Sequence, residues 1–151
     1  MKLFFKFISS LFLSCILCIS MLFSIDVSIP NIIGVDQGDT IQVPIDVSDL
    51  TNQNIFSFYG KVLFDESIAN AIGVTKSGTL SSSFGAPVYN INNDGEITFA
   101  LFGTSSLNSS GELIYLDFVI NGDDASSTNL EFVFFVFNEG NPNSNLFNGS
   151  I

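Results

Sequence analysis

The chain has 151 residues, with 15 acidic and four basic side chains and no histidine; its formal net charge is −11, yet 46% of it is hydrophobic. Such acidity leaves nothing to neutralise phosphate, which excludes nucleic acid as a partner. Without histidine, the usual general base and commonest metal ligand is missing, and the apolar content is too high for a disordered acidic tail.

Lys2 and Lys6 precede an apolar run from Leu3 to Phe23. A basic start before such a run predicts a secretory signal peptide over residues 1–24, with cleavage-compatible small residues at Ser20 and Ser24. An uncleaved anchor helix is the alternative, and would be the protein's only contact with a membrane. Cys15 fits the pattern of a lipid acceptor poorly. Without the first 24 residues, 127 remain. They carry two bases, Lys61 and Lys76, against all 15 acids, for a net charge of −13. Both cysteines, Cys15 and Cys18, leave with the signal, so the exported domain has neither disulfide nor soft metal ligand. It depends on its core alone, for which this length suffices.

The remainder predicts an all-β domain over 25–151. Asp26–Pro30 opens it. Thr40–Val47 alternates strictly, with Ile41, Val43, Ile45 and Val47 on one face. Pro44 lacks an N–H for the ladder and points to an edge or a bulge. In Ile55–Phe64, Phe56, Phe58, Gly60, Val62 and Phe64 share one face, and Ser57, Tyr59, Lys61 and Leu63 the other. A weaker strand covers Ala69–Thr75. Val88–Asn92 and Glu96–Phe102 flank Asn93-Asp94-Gly95, a hairpin signal. In Glu96–Phe102 the outward set is either Ile97, Phe99 and Leu101 or Thr98, Ala100 and Phe102. Leu113–Ile120 alternates with Ile114, Leu116, Phe118 and Ile120 together. In Leu130–Phe137 the period places Leu130, Phe132, Phe134 and Val136 inward, with Glu131, Val133, Phe135 and Phe137 opposite. Gly149–Ile151 closes a set of about nine strands. The pieces between them, such as Lys76–Pro87, Gly103–Gly111 and Asn121–Asn129, are dense in turn-forming residues. Many short strands joined in this way predict a β-sandwich or jelly roll.

The order of these segments resembles a cohesin domain, the receptor module of bacterial cellulosome scaffolds. The resemblance is carried by Gly34–Val47, with its V-P-I-D-V strand, by Phe58–Asp65, by Gly95–Gly103, by Ser110–Ile120, and by Phe137–Gly140 with Asn148–Ile151. It implies a nine-stranded jelly-roll sandwich, related in shape to some carbohydrate-binding modules. It further implies a secreted, non-catalytic module in polysaccharide-degrading assemblies. The implied partner is a dockerin-like module that carries its own calcium. The sequence departs from the pattern at two places. Cellulosomal cohesins often present Asn and Asp on the outer face of the third strand, where this chain has Ser57 and Tyr59. The chain also ends at Ile151, where a last strand would run on: either that strand is short or the product is truncated.

The candidate partner-binding residues are Ser57, Tyr59, Lys61 and Leu63, with Tyr59 as an amphipathic anchor and Lys61 as a rare cation. Against this stands an ordinary solvated sheet face. Asp36 with Asp39, Asp94 with Glu96, and Asp123 with Asp124 invite a calcium reading, but none has the spacing of a calcium loop; solvated turn carboxylates explain them better, and no metal or other cofactor is expected. Neither Asp65-Glu66 nor Asp123-Asp124 resembles a glycosidase acid–base pair, so no catalytic residue is expected. A glycan is a further candidate ligand. With no tryptophan and only Tyr59, Tyr89 and Tyr115, a flat platform for crystalline cellulose is not expected. An adhesive or structural surface domain reusing the fold is the competing function.

Overall fold

The computed structural model describes residues 24–92, 95–123 and 125–151. The segment expected to be a signal peptide, apart from Ser24, lies outside them, as do Asp94 and Asp124. Ten strands follow in order: β1 (Ser24–Ser28), β2 (Thr40–Val47), β3 (Ile55–Leu63), β4 (Ala69–Thr75), β5 (Val88–Asn92), β6 (Glu96–Leu107), β7 (Gly111–Ile120), β8 (Asn129–Phe137), β9 (Asn143–Phe147) and β10 (Gly149–Ser150). One sheet has the order β4-β7-β2-β1-β9 and the other β10-β8-β3-β6-β5. Neighbours are antiparallel except β1 and β9, which run parallel.

The inner faces meet in one core. One sheet contributes Val43, Ile45, Ile114, Leu116 and Phe118; the other contributes Phe58, Val62, Ile97, Phe99, Leu101 and Phe137. The choice left open on β6 is thereby decided: Ile97, Phe99 and Leu101 point inward, so Thr98, Ala100 and Phe102 face out. Gly60 is the packing key of β3. A Cβ there would sit 2.8 Å from the Phe99 ring and 2.9 Å from the Phe135 ring, so a bare backbone lets both rings close over it. Pro44 stands opposite Tyr115 of β7, in the part of β2 that β1 does not accompany, since β1 pairs only at Asp46 and Val47. A bulge follows between Ile45 and Asp46, one of the two settings to which a proline in a strand points.

Three expectations need correction. On β8 Leu130 and Phe132 point inward as expected, but so do Phe135 and Phe137, whereas Phe134 and Val136 turn outward. The register against β3 pairs Lys61 with Phe134 but Val62 with Phe132, so Val133 is an extra bulged residue. One inserted residue exchanges the faces of everything beyond it. On β3, Phe56 is exposed while Ile55 is buried, because the ladder to β6 also slips between Ile55 and Ser57. Asn138 holds this slip open: its Oδ1 accepts the Phe56 and Ser57 N–H groups at 3.0 and 3.3 Å, and its Nδ2 donates to the Asn54 and Asn141 carbonyls at 3.2 and 3.1 Å. Finally, the strands among the described residues number ten, since β9 forms from Asn143–Phe147, and β6 continues through Leu107 instead of ending at Phe102.

The segment between β4 and β5 is also more ordered than its composition implies. It holds a short 3₁₀ turn, Leu80–Ser83, and drives Phe84 into the core against Phe58, with ring centroids 6.2 Å apart. Lys76 spans it, donating to the Ser82 carbonyl at 2.8 Å and to the Phe84 carbonyl.

Candidate protein-binding face

The outer face of β8-β3-β6-β5 gathers all four residues singled out from the sequence. Backbone register sets them in rows across the strands. Ser57 stands beside Phe102; Val136, Tyr59, Ala100 and Val88 form the next row; Phe134, Lys61, Thr98 and Asn90 the third; and Glu131, Leu63, Glu96 and Asn92 the fourth. Three strand spacings make each full row about 14 Å wide.

Apart from Ser57, the first two rows are largely apolar and reach solvent. Phe102 is 66% exposed, Val88 65% and Tyr59 43%. The Tyr59 ring meets the Phe134 ring edge-on at 5.5 Å, which holds it upright on the sheet. Val133 at the bulge and Phe56 at the slipped start of β3 are exposed on the same sheet. Apolar groups clustered in this way mark an interaction surface.

The other end carries a chain of linked polar groups on β3, β6 and β5. Lys61 Nζ lies 3.0 and 3.1 Å from the two Glu96 carboxylate oxygens. Asn92 Nδ2 donates to Glu96 Oε1 at 2.7 Å, and Asn90 Nδ2 donates to Asn92 Oδ1 at 2.9 Å. The Lys61 hydrogen bond, then that of Asn92, holds the Glu96 carboxyl below its ordinary range. The lysine and glutamate side chains are 26% and 22% exposed, so the pair is partly shielded.

Phe102 and Val88 are the additions that structure makes to the sequence-based set. Phe102 stood in one of two alternatives for β6. Val88 emerges from the hairpin register, which places it opposite Ala100. The opposite sheet differs in character. Its outer face carries Asp26, Asp46, Glu112 and Asp117 on β1, β2 and β7, with no lysine among them. Asp117 accepts from Gln42 at 2.9 Å and Thr75 at 2.7 Å, and Tyr115 donates to Glu112. Burial, and then the negative charge of Glu112, raise the Asp46 carboxyl.

The three tyrosines do not make a common platform: Tyr59 and Tyr115 lie on different sheets, and Tyr89, on edge strand β5, reaches over Gly73 of β4. Two of the acids offered to calcium have other work. Asp39 Oδ2 accepts the Asp36 N–H at 3.0 Å, and Glu96 belongs to Lys61. Among the described residues no group of three metal-ligating side chains converges.

A family model described as Cohesin domain matches residues 25–145. The chain belongs to the cohesin domain family. Solved structures repeat the fold. A complex of CaCohA2, a Clostridium acetobutylicum cohesin, with a variant of CaDoc0917 is 19% identical with a TM-score of 0.69, covering 85% of this chain and 98% of its own. The Coh-OlpC–Doc435 complex of Clostridium thermocellum is 21% identical with a TM-score of 0.67, covering 85% and 92%. A non-cellulosomal cohesin of the archaeon Archaeoglobus fulgidus is 16% identical with a TM-score of 0.67, covering 85% and 89%. At such identities the likeness is one of fold. No curated protein matches the chain.

Proposed function

We propose that this cohesin is a secreted, non-catalytic module that binds a dockerin-type protein partner through the outer face of β8-β3-β6-β5, with Ser57, Tyr59, Lys61 and Leu63 at its centre. The observation that carries the site is the apolar row Val136–Tyr59–Ala100–Val88 beside Phe102, on a sheet whose Lys61, Glu96, Asn92 and Asn90 side chains already bond one another. The partner class is supported by family membership and by cohesin relatives solved with dockerins bound. Export is supported by the basic start and apolar run of residues 1–24.

Calorimetric titration with the dockerin-bearing proteins encoded in the same genome tests this reading. One-to-one binding, lost in Tyr59→Asp while the fold is kept, is the expected result. A genome without such proteins, or binding that Tyr59→Asp leaves untouched, overturns it. The non-cellulosomal archaeal cohesin supports a second reading, a surface domain that uses the fold outside a cellulosome. Gene neighbours decide between the two: dockerin-bearing hydrolases favour the first, adhesins or surface-anchored repeats the second.

A further inference from the structure

This inference rests on the reading above and concerns how the face chooses its partner. In its first two rows, Ser57–Phe102 and Val136–Tyr59–Ala100–Val88, no residue is charged. A charged partner group set against Tyr59 and Phe102 would lose water and gain no counter-charge. Lys61, the one cation among the described residues of this face, spends two donors on Glu96, and Glu96 is fixed again by Asn92. A partner carboxylate would therefore have to displace Glu96 to reach Lys61, and a partner cation would meet a carboxylate already neutralised. On this face Glu131, at the β8 end of the fourth row and two rows from Tyr59, is an acid with no side-chain partner among the described residues; further acids lie on the far sheet, at Asp26, Asp46, Glu112 and Asp117.

We infer that the face recognises an uncharged, apolar stripe of a dockerin-type module, with Tyr59 and Phe102 as anchors. The Lys61–Glu96–Asn92–Asn90 chain forms a neutral rim that rejects charged competitors. Affinity then depends little on salt, although the exported domain carries a net charge of −13. Electrostatic steering would give the opposite behaviour.

The test is a phage-displayed library of the Doc435 dockerin with its surface positions randomised, panned against this protein. Recovered binders are measured at about 0.05 and 0.5 M NaCl, concentrations that bracket strong and weak screening. The expected binders carry Leu, Ile, Val, Met or Phe at the selected positions and change affinity less than about threefold between the two salts. They weaken at least about 30-fold with the pair Tyr59→Ala and Phe102→Ala, but less than about fivefold with Lys61→Ala and Glu96→Ala together. Selection of charged residues, a steep salt dependence, or a larger loss from the Lys61/Glu96 variant overturns this inference and leaves the dockerin reading standing. Binders indifferent to Tyr59→Asp and Phe102→Asp place the binding surface elsewhere and overturn both. A library yielding no binder also overturns both. Thermal melts of each variant, whose changed side chains all lie on the outer face, confirm that the fold is intact.

Discussion

Replacing Phe135 by alanine, and comparing it with the same change at Phe134, isolates the effect of one bulged residue. Phe135 is 3% exposed and its ring is a hub: the centroids of Phe137, Phe58, Phe132 and Phe99 lie at 5.1, 5.8, 6.0 and 6.2 Å. Truncating a buried phenylalanine costs about 3–5 kcal/mol. The four ring contacts put Phe135→Ala at the upper end, about 4–5 kcal/mol, because aromatic pairs contribute beyond their area. Phe134, half-buried on the outer face, loses about half of a full transfer term and one edge-on contact with Tyr59, about 1–2 kcal/mol in all. Urea titration of the β domain reads both. At about 3–5 °C per kcal/mol for a domain of this size, Phe135→Ala should also melt some 12 °C or more below the wild type. The reverse order, with Phe134→Ala the more damaging, would refute the bulge at Val133 and restore unbroken alternation along β8.

Further outcomes follow from the same packing. Phe118→Ala, whose fully buried ring meets Phe64 edge-on at 5.1 Å, should cost about 3–5 kcal/mol in the same titration. Gly60→Ala should cost about 1–3 kcal/mol by overpacking, since the new methyl would press on two rings; an unchanged urea midpoint would mean those rings move aside freely. Tyr59→Ala should shift stability little but weaken dockerin binding, and unfolding of that variant would invert the faces of β3. Asp46 carries a carboxyl raised above its ordinary value of 3.8 by burial and by Glu112, so its contribution is most favourable below that value and declines as pH rises through the folded-state value. Asp46→Asn should therefore raise the melting temperature at pH 7 relative to wild type, with the advantage vanishing near pH 3; a variant less stable at pH 7 would contradict this.

Much of the fold was legible because alternation in β2, β3 and β7 runs against a buried face, where a slip of one residue would expose the core. The outward set Ser57, Tyr59, Lys61 and Leu63 was visible for that reason. Phe134 and Phe135 were exchanged because a bulge is a property of the pair of strands: nothing in the sequence Glu131–Phe137 signals that Val133 has no partner on β3. Phe56 was misplaced likewise. The cause is the Asn138 side chain, 82 residues away, which takes the ladder's place at the start of β3. β9 escaped notice because Asn-Ser-Asn-Leu-Phe has little β propensity of its own, and its pairing comes from β1, 119 residues earlier in register. The neutrality of the polar rim was equally hidden. Lys61 and Glu96 are 35 positions apart, and only the β3–β6 register makes them partners.

The central claim is that the outer face of β8-β3-β6-β5 is where a dockerin-type partner docks. Mapping backbone amide shifts of the isotopically labelled domain during titration with such a partner tests it most directly. The largest changes should fall on Ser57, Tyr59, Lys61, Thr98, Ala100, Phe102 and Val136, while Gln42, Tyr115 and Asp117 on the far sheet stay still. Shifts concentrated on Gln42, Tyr115 and Asp117 would contradict the account.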